Sequence, residues 1–488
     1  MPPPLAACLY FGFALWLLRR DAKRDVGVST ALWIPLLWVW IIASKPLAFW
    51  FADGTAPEVA DVTQGSFFDR NAYLLLMFFG LIVLAKRRIT WNQVFVENRW
   101  LWIFSLFCLI SIIWSPIPFV ALKRWIKDVG GIIMILILLT EGNPTAAIQT
   151  VFLRCAYLLV PLSVLFIKYY PELGGRYYNQ WTGATNYCGI TTNKNALGVL
   201  AMISGLCLIW SIVDIERRST WLKTIRSMWP ELAVLLMCLW ILKIADSATS
   251  LGCFIVGTAV FLATHTRWVR TNLRRLGWWV CGLVLASLLL FAVPDLRRVV
   301  GESLGRDVTL TTRTDIWNAV LDLKTNPLVG TGFASVWLTP EGSALVREMG
   351  GLPHSHNGYL ETYLNTGLIG VVLLLAVLFV AGRNSIKELS DGAVVGNLFA
   401  ALFLCGVIYN YTEVTFNNGN IVGFSLWLMA TQFQVPRHLK VAGADDALEA
   451  SAGDLNPSGA EPMGVPDLGN AWPSHHPLVE GFPGAGPN

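Results

Sequence analysis

Residues 294–365 form the longest polar segment between two apolar runs of the chain. The segment contains Arg313-Thr-Asp-Ile-Trp317 and Pro327-Leu-Val-Gly330-Thr-Gly332-Phe333, and it closes with His354-Ser-His356-Asn357-Gly358-Tyr359-Leu360. Two of the six histidines of the chain therefore stand at its end. Apart from a polar C-terminal stretch, most of the remaining sequence is apolar. This pattern predicts a polar functional loop carried by membrane-spanning helices.

Composition places the chain among membrane proteins. Of its 488 residues, 55% are hydrophobic and only 14% are charged, and the mean hydropathy is +0.54. Soluble domains carry about 25% charged residues. The 22 tryptophans suit anchoring at membrane interfaces. A net charge of +4 is too small to imply a nucleic-acid partner. Nearly all nine cysteines lie in apolar runs, with Cys188 as the exception, so we predict neither a disulfide framework nor a zinc site.

The apolar runs predict an all-α polytopic membrane protein with about 12–13 transmembrane helices and one large external loop that contains short helices. Whether the first run, Leu5–Leu18, crosses the membrane stays open. Basic loops at 19–27, 86–99, 214–230, 265–275 and 383–387 alternate with the loops at 52–70, 168–194 and 294–365. The positive-inside rule therefore puts the basic loops in the cytoplasm and the large loop outside.

This organisation predicts four parts. They are an N-terminal transmembrane bundle over 1–293, the large external loop over 294–365, C-terminal transmembrane helices over 366–435, and a disordered cytoplasmic tail over 436–488, which is rich in Pro, Gly, Ala and Asp.

Several cations fall in loops that this topology places outside. Residues 115–128 predict an amphipathic helix in the outer interface, with Phe119, Leu122 and Trp125 on one face and Arg124 among the cations on another. Two interpretations stay open: ordinary attraction to lipid headgroups, or binding of an anionic lipid substrate. The other external cations of this class are Lys45, Lys168, Arg176 and Lys194.

The run Thr191-Thr-Asn-Lys194-Asn-Ala-Leu-Gly198 leads directly into an apolar helix. Thr192, Asn193 or Asn195 can cap that helix. The free N–H groups of the first turn, together with the charge of Lys194, favour a phosphate. The alternative is a capped helix with a solvated lysine.

Two short helices are predicted in the large loop. One spans about Arg313–Lys324, with Ile316, Val320 and Leu323 as its buried stripe, and Arg313 in its first turn opposes the helix dipole, which suggests a bound anion. The other begins near Ser355, which puts His356 at a helix N-terminus. There the dipole disfavours the imidazolium, and a neutral imidazole is a suitable general base.

His354 and His356 also form a His-x-His pair, which is compatible with a metal site. No third ligand with suitable spacing is near in the sequence. A structural histidine satisfied by backbone groups is a further alternative. We predict a site without a metal and without a cofactor.

The motifs resemble one family. His356-Asn357-Gly-Tyr-Leu360 with Gly367 is similar to the His-(Asn/Ser/Gln)-x-x-Leu-x(6)-Gly signature of the O-antigen ligase and polymerase superfamily. Arg313-Thr-Asp-Ile-Trp317, followed by Asn-Pro-Leu-Val-Gly-Thr-Gly-Phe333, resembles the stretch before that signature. Thr191–Gly198 and Ala31–Pro35 resemble segments of the exopolysaccharide polymerase branch. The resemblance covers roughly residues 5–435.

The resemblance implies a metal-independent, inverting glycosyltransferase of the bacterial inner membrane with a periplasmic active site. Its donor would be a glycan on undecaprenyl pyrophosphate, and its acceptor a glycan or lipid A–core. Beyond membrane lipids, a flippase and a chain-length regulator are further implied partners. His356 and Arg313 would be catalytic. The substrate-binding residues would be Arg124, Arg176, Lys194, Lys45, His354 and Asn357. The alternative is a flippase-like transporter, although charges are scarce in the apolar runs, with Arg154 and Lys243 as the main exceptions, and no internal repeat is seen.

Overall fold

The computed structural model describes residues 1–23, 27–51, 66–87, 89–178, 185–218, 221–272, 313–348, 353–416 and 419–433. The predicted tail over 436–488 and residues 294–312 of the large loop lie outside these residues.

Up to residue 170, all regular secondary structure in the described residues is helical, with 3-10 turns at Thr30–Leu32 and Ile112–Trp114. Its helices are α1 (Pro3–Ala22), α2 (Trp33–Ile42), α3 (Ala48–Phe51), α4 (Phe67–Lys86), α5 (Trp91–Glu97), α6 (Arg99–Ser111), α7 (Pro118–Leu139) and α8 (Pro144–Tyr169).

A short antiparallel hairpin follows, in which β1 (Arg176–Tyr178) pairs with β2 (Thr185–Tyr187). The later helices are α9 (Lys194–Arg218), α10 (Trp221–Ile244), α11 (Ala248–Ala263), α12 (Arg267–Thr271), α13 (Arg313–Leu321), α14 (Pro340–Glu348), α15 (Gly358–Ser390), α16 (Val394–Tyr409) and α17 (Ile421–Ala430). A 3-10 turn at Val336–Leu338 precedes α14.

Helices α8 and α9 form the centre of the bundle. Their most apolar 18-residue stretches are 72% and 78% buried inside the bundle, whereas that of α4 is only 17% buried. A helix that is apolar on all sides can be surrounded by other helices, and α8 contacts α1, α2, α9 and α10. Exposed Leu and Phe side chains cover the outside of α4, as expected for a surface that faces lipid.

The helices confirm an all-α polytopic membrane protein. Among the described residues, α4, α8, α15 and residues 194–213 of α9 are long and apolar enough to cross a membrane. The pair formed by α5 and residues 99–114, bent by 85°, adds a fifth candidate if it is one span. Shorter apolar helices include residues 30–42, 248–263, 395–409 and 421–430. The predicted total of 12–13 spans remains a prediction.

The prediction of a separate interfacial helix over 115–128 was wrong. Residues Pro118–Leu139 form one continuous helix, and the pair Gly130-Gly131 does not interrupt it. Pro118 starts the helix at its first turn, where the missing N–H has no cost. The first half is held against α6, because Trp125 Nε1 donates to the Ser105 carbonyl at 2.8 Å and Ala121 is buried.

Buried ion pairs tie the helices together at the end of the bundle where α8 begins. Arg154 Nε lies 2.6 Å from Asp21 Oδ2, and Arg20 lies 3.0 Å from Glu231, which also accepts from the Tyr157 hydroxyl at 3.1 Å. Arg154, an exceptional charge in the apolar sequence, therefore serves helix packing. Buried charges are tolerated because they are paired.

Candidate active site

The opposite end of the bundle, where α8 ends and α9 begins, carries the polar residues that the sequence motifs single out. The backbone that holds these residues includes a break in α15 at Gly367, which has φ 64° and ψ −168°. This conformation is essentially restricted to glycine. A Cβ at Gly367 would collide with the carbonyl group of Leu328. The signature glycine is therefore required by a close approach of two backbones.

The motif Pro327–Phe333 supplies that second backbone. Before the break, the carbonyls of Leu364 and Asn365 accept from Thr331 N at 3.0 Å and from Gly332 N at 2.8 Å. After it, Leu368 N donates to Pro327 O at 2.9 Å, and Ile369 N donates to Leu328 O at 3.1 Å. The loop thus satisfies the helix-end groups that the break exposes. This fixes the segment 358–366 that follows His356.

The start of α15 differs from the predicted one. The helix begins at Gly358, and Asn357 is its cap, because its side chain accepts from Tyr359 N and Leu360 N, each at 3.0 Å. The prediction that the helix begins near Ser355 was wrong. Ser355 is buried and engaged otherwise, with its hydroxyl donating to Asn357 O at 2.9 Å. His356 therefore precedes the cap. The predicted substrate contact of Asn357 stays a prediction.

Glu361 organises the loop before the helix. Its carboxylate is buried and accepts from Trp337 Nε1 at 2.6 Å and from Ser355 N at 3.0 Å. Trp317 of α13 donates to the Ser355 carbonyl at 2.8 Å. The predicted buried residues are confirmed: Val320 is buried, and Ile316 packs against the same cluster, which contains Trp337 and Leu364. The helix ends at Leu321 and not near Lys324, so Leu323 reaches this cluster from just beyond its end. These contacts fix the main chain next to His356.

His356 lies at the meeting point of three elements. Its Nδ1 is 3.5 Å from Glu413 Oε2, in the segment after α16, and Glu413 Oε1 accepts from Asn195 Nδ2 of α9 at 2.7 Å. The side chain of His356 is 15% exposed, so one edge remains accessible. Its ring stands edge-on to that of His354, with centroids 4.1 Å apart.

The backbone near the site is locally strained. Among the described residues, the non-glycine residues with positive φ are Asp246 (47°), Ala334 (50°) and His356 (52°). All three belong to this end of the bundle: Asp246 pairs with Lys194, and Ala334 accepts from Arg124. Such conformations cost about 1–3 kcal/mol each and cluster at functional sites.

The N-terminus of α9 adjoins the site. Of the three predicted caps, the structure selects Asn193, whose Oδ1 accepts from Ala196 N at 2.9 Å. Lys194 Nζ lies 3.5 Å from Asp246, which is 72% exposed, so the pair is weakly held. The side chain of Asn195 points instead to Glu413.

Lys45 approaches the same region from α2. Its Nζ donates to the Leu173 carbonyl at 2.5 Å, and its backbone N–H donates to Ile190 O at 2.9 Å. Burial lowers the pKa of Lys45, and the neighbouring Cys188 partly opposes that shift. Burial raises the pKa of Tyr177 on β1, while the backbone N–H of Lys194 opposes the shift. The hairpin thus connects the surroundings of Lys45 to the start of α9.

The predicted arginines fall in different places. Arg124 donates to the Ala334 carbonyl and is electrostatically attracted to Glu361, so it lies beside the signature loop. Arg176 is exposed on the hairpin. Arg313 begins α13, as predicted, and its side chain lies outside the described part. The structure therefore brings His356, His354 and Asn357 together and puts Arg124, Lys194 and Lys45 around the same end.

Sequence reasoning missed Glu413, Glu361 and the role of Asn195. Glu413 is a lone acid just beyond the apolar run that forms α16, and that position is a weak signal. Glu361 lies inside the signature itself. Within the described residues, no group of three or more His, Cys, Asp or Glu side chains is arranged to hold a metal.

These features define a multi-pass membrane protein with a histidine–carboxylate–amide network at one end of its helices. The family model described as O-antigen ligase matches residues 232–375, a segment that contains Arg313, His356 and Gly367. The exopolysaccharide production protein ExoQ of Rhizobium meliloti is 25% identical over 392 residues, which are 75% of this chain and 85% of that relative.

Two Rickettsia proteins named "Putative polysaccharide ligase" are also similar. The one from Rickettsia prowazekii is 27% identical over 184 residues, 36% of this chain and 43% of its own length. The one from Rickettsia felis is 23% identical over 325 residues, 64% of this chain and 75% of its own length. The comparisons confirm the resemblance to the O-antigen ligase and polymerase superfamily. They support an enzyme acting on polysaccharide and do not favour the transporter alternative.

Proposed function

We propose that the chain transfers a glycan from undecaprenyl pyrophosphate to a sugar hydroxyl at the periplasmic face of the bacterial inner membrane. The observation that carries the proposal is the placement of His356. It is partly exposed, lies beside a carboxylate, and stands at the end of the bundle that also carries Arg124, Lys194 and Lys45.

In the proposed reaction, the neutral imidazole of His356 takes the proton of the acceptor hydroxyl. The oxygen then forms a bond to the anomeric carbon from the face opposite the pyrophosphate. The bond between that carbon and the pyrophosphate oxygen breaks with its electron pair, so the configuration inverts and undecaprenyl pyrophosphate leaves. A positioned base contributes roughly 100- to 10,000-fold to such a rate.

The cations have the complementary task in this proposal. The donor carries two phosphates at the membrane surface, and negative charge builds on them as the bond breaks. Arg313 and Arg124 suit bidentate contacts to phosphate oxygens, and Lys194 adds charge at a helix N-terminus. Stabilising that charge lowers the barrier. The proposed mechanism routes no step through a metal or nucleotide.

Polymerisation is favoured over ligation by one comparison. The relative that covers most of this chain bears a name that refers to exopolysaccharide production. The experiment that separates the two supplies purified protein with lipid-linked repeat units alone. A ladder of products identifies a polymerase, whereas transfer only after addition of lipid A–core identifies a ligase. No transfer to either acceptor would refute the proposal.

The pair His354 and His356 provides a matched test of the base. We expect His356→Ala to abolish transfer in cells and to leave only a residual rate with the purified protein, while the protein still inserts and still binds the lipid-linked donor. His354→Ala, two residues away, should have a milder effect. Added chelator should leave the unmodified protein active. If both variants fail equally and the chelator inactivates the protein, the metal interpretation of the histidine pair replaces the general base.

A further inference from the structure

Glu413 is held from three sides although it lies in a short segment between two helices. Its side chain is largely buried, at 11% exposed. Its two carboxylate oxygens face different partners, with Oε1 accepting from Asn195 Nδ2 at 2.7 Å and Oε2 lying 3.5 Å from His356 Nδ1. Its backbone carbonyl accepts from Gly358 N at 3.0 Å. The backbone contact fixes the segment after α16, and the carboxylate faces Asn195 and His356.

A carboxylate next to Nδ1 would make the imidazole of His356 a better base. Its Nδ1 is buried and has no hydrogen-bond partner among the described residues. At 3.5 Å from Oε2, a small rotation of either side chain makes a hydrogen bond. A carboxylate at Nδ1 favours the tautomer that carries its proton there, so that Nε2 presents its lone pair to the acceptor. The same charge stabilises the imidazolium formed when Nε2 takes the acceptor proton.

The main chain around His356 supports a fixed orientation of the ring. Ser355 is anchored through Glu361 and Trp317, and Asn357 caps α15. Between these anchors, the backbone of His356 is held at φ 52°, a conformation that non-glycine residues rarely adopt. The loop therefore offers few alternative directions for the ring, and the carboxylate of Glu413 lies within reach.

We propose that Glu413 is the positioning residue of His356 and that Asn195 in turn holds Glu413. This amide–carboxylate–imidazole relay joins the N-terminus of α9, which carries Lys194, to the base that activates the acceptor. The inference rests on the proposed function. It adds two residues outside the family signature: Asn195, which lies 161 positions before His356, and Glu413, which lies 57 positions after it.

The first test compares Glu413→Gln with the neighbouring Thr412→Ala in the full-length protein. Thr412 contacts Thr249 and Tyr409 and lies outside the relay, so it is the matched control. Glu413→Gln keeps the shape and the backbone contact and removes the charge. We expect its kcat to fall by up to about 100-fold, the loss that follows a small misplacement of a reacting group. The KM for the lipid-linked donor and the thermal midpoint should stay unchanged.

A second measurement distinguishes positioning from structural support. In the His356→Ala background, a further Glu413→Gln change should have no added effect on residual transfer, because the carboxylate acts only through the ring. Asn195→Ala should lower kcat by a smaller factor, roughly 10-fold, since the carboxylate loses its orientation and keeps its charge. Asn195→Ala also carries the test if Glu413→Gln fails to accumulate.

The outcomes separate the inference from the proposed function. Full activity in Glu413→Gln, with His356→Ala inactive, overturns the relay and leaves the general base standing. A fall in kcat that comes with a comparable rise in KM and a lower thermal midpoint assigns Glu413 a structural role and also overturns the relay. An additive loss in the double variant does the same. Full activity in His356→Ala overturns the proposed function itself.

Discussion

Replacing Gly367 by alanine tests whether the break in α15 is a requirement of the fold. The backbone at Gly367 has φ 64° and ψ −168°, and an added Cβ would meet the carbonyl group of Leu328. Both obstacles involve backbone, so a side-chain rotation cannot relieve them. The expected result is separation of the loop over 326–332 from the helix.

The expected cost follows from these contacts. Holding alanine in this region of φ and ψ costs on the order of 1–3 kcal/mol. The collision also displaces the chain that accepts from Leu368 N and Ile369 N, and each lost hydrogen bond costs about 1 kcal/mol. The folded state should therefore be destabilised by roughly 3–5 kcal/mol. Glycan transfer should also be lost, because the same segment positions His356.

Gly131→Ala is the matched control. Gly131 lies inside α7, and a Cβ there meets nothing within 4 Å. Alanine is a better helix former than glycine by about 1 kcal/mol, so this variant should be neutral or slightly more stable. Thermal unfolding of both purified variants in the same detergent provides the comparison. Equal midpoints for Gly367→Ala and Gly131→Ala would refute the reasoning about the break.

Three further predictions concern the topology and the cations. A cysteine at the exposed position Glu348 should react with a membrane-impermeant reagent in intact cells, and one at Ser451 should not; the reverse pattern contradicts the proposed topology and the mechanism with it. Arg313→Lys should lower kcat/KM at matched protein level, because lysine cannot replace a bidentate contact worth about 1.5–3 kcal/mol. Normal turnover in both Arg313→Ala and Arg124→Ala would show that neither arginine binds the donor phosphates. Because burial lowers the pKa of Lys45, its positive charge is lost as pH rises through that lowered value. The KM for the donor should therefore increase at alkaline pH in the native protein and change less with pH in Lys45→Arg. Identical pH profiles of KM for the two proteins would exclude Lys45 from donor binding.

Local patterns in the sequence predicted the parts that depend on neighbouring residues. The burial of Ile316 and Val320 follows from helical spacing, and Asn193 is one of the three caps that residue type allowed at the start of α9. For α15 the same logic named Ser355, since serine and asparagine are both good caps. At Ser355 the N–H group donates to Glu361 and the hydroxyl donates to the Asn357 carbonyl, and Asn357 caps the helix. Residue type alone does not decide between two caps of similar quality.

The relay and the break depend on contacts between distant parts of the chain. Asn195 meets Glu413 across 218 positions, and no local pattern connects an asparagine after a cap to an acid beyond an apolar helix. Gly367 lies near the predicted boundary between the large loop and the C-terminal transmembrane helices, where no local pattern predicts a break in the helix. The chain that breaks it comes from Pro327 and Leu328, some forty residues earlier. The position of the break in α15 is therefore set by the close approach of two distant backbone segments and not by local helix propensity.

The ion pairs at the other end of the bundle constrain the order in which the protein assembles. Asp21 and Arg20 are made early, whereas their partners Arg154 and Glu231 follow 133 and 211 positions later. A buried charge without its partner costs several kcal/mol, so α1 gains little by docking before those partners exist. Helix α1 is therefore expected to reach its final neighbours only after α10 has been synthesised. A nascent chain that ends before residue 231 should leave α1 accessible to crosslinking with lipid and with the insertion machinery.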